Sequence, residues 1–278
     1  MNINGSTQVI AHIGYPTHTF KSPMIYNPYF EQAAINALVV PFSSQAPVYP
    51  DFLKNVFTCE NVIGALVTMP HKVTTVNLVD RLSITAQIAG SANAVRRAAD
   101  GKLEGDMFDG EGFVRGIRRK GFTPEGKKAL VVGSGGVGCA IAASLAAAGV
   151  SKLALYDVNA AASEALAGRL KQHYPALEVQ TGSNDPDGFD LAVNATPMGM
   201  YEGDPMPMDV NRISPDTFVG EVVLKDETTA FLAAAKAKGC KVQVGTDMLF
   251  EQIPVYLEYF GLPSTTAEHL REVARIEY

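Results

Sequence analysis

Cysteine is scarce in this 278-residue chain, and Cys59, Cys139 and Cys240 are too few and too scattered for a disulfide framework. Their odd number and wide spacing fit reduced, buried thiols. The histidines His12, His18, His71, His173 and His269 show no ligand spacing of the HExxH kind, so no metal is expected. Positive charge is in deficit: 23 Lys and Arg against 29 Asp and Glu leave a net charge of −6, which argues against broad nucleic-acid binding. The N-terminal MNINGSTQVIAHIG has neither a basic segment nor a long apolar run, so no signal peptide is read and a cytoplasmic location is expected. The uncharged stretch Ala129 to Ser151 is broken by glycines clustered at one point, which excludes a membrane span. No internal repeat or low-complexity tract stands out.

What remains describes a globular protein with 47% hydrophobic and 19% charged residues, long enough for two domains. Apolar runs alternate with helical patterns, which predicts an α/β fold throughout. Strands are expected at 7–13, 38–42, 63–68, 178–181, 189–194, 218–224 and 241–245. Helices are expected at 23–37, with Ser22 as N-cap before Pro23, and at 50–58, 84–89 and 109–120. Residues 94–97 and 103–104 read as a hairpin about Asp100-Gly101. Helices at 249–260 and 266–276 lie past the last strand.

The most specific signal runs from Lys127 to Asp157. A strand, Ala129 to Val132, ends in Gly133-Ser134-Gly135-Gly136-Val137-Gly138. An alanine-rich helix follows to Gly149, and a second strand, Leu153 to Tyr156, ends in Asp157. This order and spacing are those of a dinucleotide-binding unit. The glycines permit a tight turn and close approach of a pyrophosphate to the backbone, and the helix N-terminus offers N–H groups and a positive dipole end. Asp157 stands where a carboxylate accepts from ribose hydroxyls and opposes a 2′-phosphate. No Lys or Arg intervenes between Asp157 and Arg169, so NAD is expected in preference to NADP.

Two further segments carry chemistry. Val67-Thr68-Met69-Pro70-His71-Lys72 follows one strand, and Gly105-Asp106-Met107-Phe108-Asp109-Gly110 follows another. Open α/β sheets bind ligands beyond the carboxyl ends of their strands, so Lys72 and Asp109 are candidates for a cleft. Taken singly, Lys72 reads as a solvated lysine, Asp109 as a helix cap, Asn93 as a turn residue and Gln252 as an exposed helix residue.

In these motifs the chain resembles the shikimate/quinate dehydrogenase family along essentially its whole length. Gly14-x-Pro16 with Ser22-Pro23 is similar to the family's first substrate loop. Gly64-Ala65 and Val67-Thr68-x-Pro70-x-Lys72 resemble its catalytic-lysine motif, and Gly90, Ala92, Asn93 and Ala94 the next. Asp109-Gly110-x-Gly112 resembles the motif of the catalytic aspartate. Asn194-Ala195-Thr196-Pro197-Met198-Gly199-Met200 is similar to the nicotinamide-side loop. Glu227-Thr228 and Gly245-x-x-Met248-Leu249-x-x-Gln252 match later motifs.

The resemblance implies an α/β fold of two domains: a substrate domain over 1–108 and a Rossmann-type doubly wound parallel sheet over 109–248. Helices over 249–278 would return to the first domain. It implies hydride transfer between a nicotinamide and a ring hydroxyl of a cyclic hydroxy acid, with Lys72 as acid/base oriented by Asp109. Ser22, Thr68, Asn93 and Gln252 would bind substrate. Gly133 to Gly138, Asp157, Asn194 to Met198, Val222, Gly245 and Met248 would hold the cofactor. A monomer or homodimer is expected.

The chain departs from the family where substrate would bind. Phe20 replaces the first serine of Ser-x-Ser-Pro, Leu66 an asparagine, Met107-Phe108 an Asn-Thr pair, and Val223 a tyrosine. Phe20, Met107 and Phe108 therefore predict a more apolar pocket and a substrate that differs from shikimate. Thr19, His18 or His71 are candidates for replacement contacts. The alternative function is a metabolite or NAD sensor on the same scaffold, for which acid/base residues have no use. Asp109-Gly110 and Gln252 argue against a dehydrogenase of the methylenetetrahydrofolate type.

Overall fold

The computed structural model describes residues 3–201, 203–224 and 228–276; Glu227 of the Glu227-Thr228 motif lies outside the described residues. The chain separates into two compact units. Residues up to Phe108 and those from Ile253 onward form one, and Asp109–Gln252 form the other.

The first unit is built on a mixed sheet of β1 (Gln8–Gly14), β2 (Ala37–Ser43), β3 (Val62–Val67), β4 (Arg81–Leu82), β5 (Ala94–Arg97) and β6 (Leu103–Asp106), in the order β2-β1-β3-β5-β6-β4. β1 lies parallel between β2 and β3, and β5 runs antiparallel between β3 and β6. The β5–β6 hairpin turns at Asp100-Gly101, where Gly101 has φ of +84°. Its helices before the second unit are α1 (Pro23–Gln32), α2 (Tyr49–Val56), α3 (Lys72–Thr75) and α4 (Ile84–Ala89). Ala11, Ile13, Ala65, Val67 and Val95 pack with Tyr49 and Leu53 of α2 into one apolar cluster. Because β1 and β3 are parallel, with Ile13 opposite Val67, the segments leaving their C-terminal ends emerge side by side.

Three expectations are corrected here. α1 stops at Gln32 instead of 37, because Ala34 adopts a left-handed φ of +52°. Ser22 has helical backbone angles and makes no capping bond with its side chain, so the helix opens on Pro23 alone. Cys59 is exposed, whereas Cys139 and Cys240 are buried; all are free thiols.

The second unit runs through α5 (Asp109–Arg119), β7 (Lys128–Val132), α6 (Gly136–Ala147), β8 (Lys152–Tyr156), α7 (Ala160–His173), β9 (Glu178–Thr181), β10 (Leu191–Asn194), β11 (Phe218–Glu221), α8 (Ala230–Ala237), β12 (Val242–Gln243) and the start of α9 (Gly245–Tyr259), whose residues from Ile253 on belong to the first unit. Its sheet is wholly parallel, in the order β12-β11-β10-β7-β8-β9. That is the doubly wound dinucleotide-binding order, with the strand order reversing between β7 and β10. Leu130, Val132, Ala154, Ala192 and Val219 form a core with Phe231 and Leu232 of α8. Strands covered on both faces read as near-continuous apolar runs, which is why β7 and β8 stood out in the sequence. α9 begins at Gly245, ahead of the expected Leu249. The last helix, α10 (Ala267–Val273), belongs to the first unit. Among the described residues no helix is long and apolar enough to cross a membrane.

Candidate active site

In the second unit the glycine turn sits where the strand order reverses. Gly133 leaves β7 with φ of +106°, and a Cβ there would come 2.7 Å from the backbone carbonyl of Ala195. A Cβ on Gly138 would overlap the Gly133 carbonyl, so α6 can pack against the turn only with glycine at that position. Added Cβ atoms at Gly135 and Gly136 would meet nothing within 4 Å, which leaves open space at the α6 N-terminus. The Ser134 hydroxyl is buried without a partner. Open backbone, free N–H groups and an unpaired hydroxyl fit a dinucleotide's pyrophosphate.

The loop after β10 is tied internally by Asn194. Its Oδ1 accepts from the Thr196 N–H at 3.1 Å and the Thr196 hydroxyl at 2.6 Å, while its Nδ2 donates to the Met198 carbonyl at 3.0 Å. Asn194 thus shapes the segment through Ala195 and Pro197 to Met198. Opposite Asn194 in register stands Glu221, fully buried. Its Oε2 accepts from the Thr229 hydroxyl at 2.8 Å and its Oε1 has no partner. Burial pushes this carboxyl up to about 7, against the opposing pull of the Thr229 hydroxyl and the neighbouring Asn194 side chain. Asp109 is the buried first residue of α5. Val222 follows β11, Gly245 opens α9, and Met248 and Gln252 lie along α9, with the Gln252 Oε1 buried and unpaired.

In the first unit Lys72 is the first residue of α3 and is partly exposed. The turn that presents it is fastened at several points. The Thr68 N–H donates to the Ile13 carbonyl, the His71 N–H to the Thr68 carbonyl, and the Ala92 N–H to the Lys72 carbonyl. His71 is buried, stacked on Tyr49 with centroids 3.9 Å apart, and its Nε2 lies 2.8 Å from the Ser44 carbonyl. It holds the turn and is not a replacement substrate contact. Phe20 and Ser22 are partly exposed on the segment after β1. A Cβ on Gly14 would come 2.7 Å from the tip of the Phe20 ring, so Phe20 folds back over the strand end beside Thr68.

The remaining apolar candidates sit deeper. Asn93 is buried and its Oδ1 accepts the Phe108 N–H at 2.9 Å. Met107 is fully buried, and the Phe108 ring packs edge-on against Tyr256 and Tyr259, each 5.1 Å away. These two side chains belong to the core of the first unit. The structure adds a residue not singled out from sequence, His12, whose ring stacks on Phe20 with centroids 4.0 Å apart. Burial first, and the Lys72 charge second, lower its imidazole to about 4. The available signal was its place in β1, two residues before Gly14 and so on the same face. Among the described residues no group of three or more His, Cys, Asp and Glu could hold a metal.

A wholly parallel doubly wound sheet with a glycine turn at its switch point is the architecture of a dinucleotide-binding domain, carried here in one chain with a mixed-sheet unit that presents a lysine beyond a strand end. Residues 12–95 match the family model of the shikimate dehydrogenase substrate binding domain. The NADP(+) shikimate dehydrogenase of Desulforamulus reducens is 35% identical over 262 residues, covering 90% of this chain and 88% of the relative. The 5-ketofructose reductase of Gluconobacter sp. strain CHM43 has a TM-score of 0.87 at 25% identity, covering 96% of this chain and 97% of that one. The shikimate 5-dehydrogenase of Thermus thermophilus, in complex with NADP(H) and shikimate, has a TM-score of 0.83 at 26% identity over 97% and 99% of the two chains. The chain belongs to the shikimate/quinate dehydrogenase family and is an oxidoreductase of the alcohol dehydrogenase type.

The preference for NAD read from Asp157 is overturned. The curated relatives, at 29% to 35% identity, are named as NADP(+)-dependent. The structure shows why Asp157 is a poor guide. Its Oδ2 accepts the Ser134 N–H at 2.7 Å and its Oδ1 the Asn159 N–H at 2.9 Å, so the carboxylate is engaged in holding the glycine turn. Arg169, on α7, places its guanidinium 3.7 Å from the Cys139 sulfur in α6.

Proposed function

We propose that the chain is an NADP-dependent dehydrogenase that interconverts a ring hydroxyl and ketone on a shikimate-like cyclic hydroxy acid. The observation that carries this reading is the placement of Lys72: a lysine beyond the end of β3, on a turn fixed by backbone bonds, inside the segment that matches the substrate binding domain.

Bound nicotinamide supplies the hydride acceptor or donor. Lys72 takes the hydroxyl proton during oxidation and returns it during reduction. Asp109 is assigned to orient that exchange. Ser134 and the N–H groups at the start of α6 receive the pyrophosphate, and Asn194 keeps the loop through Thr196 and Met198 in shape for the nicotinamide side. Thr68, Ser22 and Gln252 are assigned to substrate. Phe20 makes the strand end beside Thr68 less polar than a serine would. A polyhydroxy acid accordingly loses a contact worth about 1–3 kcal/mol if its partner is left unpaired. A structural relative named for a ketosugar, 5-ketofructose, is in keeping with a substrate other than shikimate.

Steady-state oxidation of shikimate, quinate and other cyclic hydroxy acids with NADP+ tests the reading. Turnover of at least one cyclic hydroxy acid is expected. Absence of NADP+-dependent oxidation across the panel would refute it.

A further inference from the structure

His12 lies on β1, two residues before Gly14, at the end of the strand over which Phe20 folds. The imidazole is 6% exposed and lies nearly flat on the Phe20 ring, at an interplanar angle of 24°. Its Nδ1 is buried and has no hydrogen-bond partner. Leaving such an atom unpaired is costly, and a buried unpaired group calls for a partner that completes it. Phe20 and Thr68 close on the same strand end at Gly14, and the Thr68 N–H donates to the Ile13 carbonyl, so the turn that carries Lys72 leaves beside the histidine.

We propose that His12 is a specificity-determining residue of the Lys72 site, pairing a ring nitrogen with a second, neutral hydroxyl of the bound substrate. The inference rests on the role proposed for Lys72 and specifies what that site selects: a ring bearing another hydroxyl besides the one that Lys72 handles. A hydroxyl suits the position because it both donates and accepts, and so satisfies either tautomer of a neutral imidazole. A carboxylate only accepts, and a bare ring nitrogen would repel it. Stacking on Phe20 holds the ring in one orientation, so the nitrogen reads position as well as polarity. The substitution of Phe20 for a small polar residue is thereby given a function: it braces the histidine.

The test pairs a side-chain deletion with a substrate deletion. His12→Phe keeps a ring to stack on Phe20 and removes both nitrogens; His12→Leu serves the same purpose if the phenylalanine variant does not fold. KM and kcat are measured for the polyhydroxylated substrate and for its monohydroxy analogue, alongside calorimetric NADP+ affinity and melting temperature as folding controls. KM for the polyhydroxylated ring should rise roughly ten- to a hundredfold, with kcat and NADP+ affinity little changed. KM for the monohydroxy analogue should stay near the wild-type value, and His12→Gln should recover part of the loss. An unchanged KM in an active enzyme would overturn the inference, as would an equal loss for both substrates, which marks mere packing. A wild type inactive on every ring alcohol would instead sink the Lys72 reading, and this inference with it.

Discussion

The Asp157 carboxylate accepts the backbone N–H of Ser134 at 2.7 Å, across 23 residues of sequence. One side chain at the end of β8 thus anchors the turn that leaves β7. Asp157→Ala removes the anchor and leaves a turn N–H unpaired, a loss of about 1–3 kcal/mol. The expected result is a fall in affinity for NADP+ and NAD+ together, roughly tenfold or more by calorimetry. A variant that gains NADP+ affinity while keeping its NAD+ affinity would show that Asp157 discriminates between the two after all.

Gly138→Ala probes the fit of α6 against the same turn. The added methyl would overlap the Gly133 carbonyl oxygen. Such overpacking costs about 1–3 kcal/mol, and the displaced turn loses its cofactor. Urea denaturation and NADP+ titration should show both effects. A Gly138→Ala protein of wild-type stability and affinity would mean that α6 can slide away from β7.

Much of this was legible from the residues alone. The β7–α6–β8 unit announced itself because fully buried parallel strands and a glycine turn leave an uninterrupted local pattern. Lys72 was legible as a residue beyond a strand end. What escaped were relations between distant segments. The Phe108 ring is received by Tyr256 and Tyr259, about 150 residues later, so whether it faced a cleft or a core could not be read from its neighbours. The role of His12 depended on Phe20 folding back onto β1. Asp157 suggested a preference for NAD because sequence shows a charge without showing that Ser134 and Asn159 engage it. The α3 turn, four residues long, was too short for any helical period to register.

Glu221 predicts how stability responds as pH rises toward neutrality. Its carboxyl is raised from 4.5 to about 7 in the folded chain. The folded state therefore binds more protons than the unfolded state between these values, and stability falls as pH rises through that window. Glu221→Gln keeps the Thr229 contact without the titrating proton. Melting temperatures of the variant should be flatter than wild type between pH 5 and pH 8, to be checked by scanning calorimetry at fixed ionic strength. An unchanged pH dependence would contradict the raised carboxyl.

His12 acts on the acid side. Its imidazole falls from 6.5 to about 4 on folding, so the folded state resists protonation that the unfolded state accepts. Stability is retained above pH 6.5 and lost as pH falls toward 4, by up to about 3 kcal/mol. His12→Phe should remove this acid-side slope. Persistence of the full slope in the variant would assign it to other groups.

The role of Lys72 is tested most directly by single-turnover and steady-state oxidation of a cyclic hydroxy acid with NADP+, comparing wild type with Lys72→Met. Loss of a positioned acid/base should lower kcat by roughly 10²–10⁴-fold, while calorimetry finds NADP+ affinity unchanged and circular dichroism an intact fold. A Lys72→Met enzyme that turns over at the wild-type rate would contradict the account.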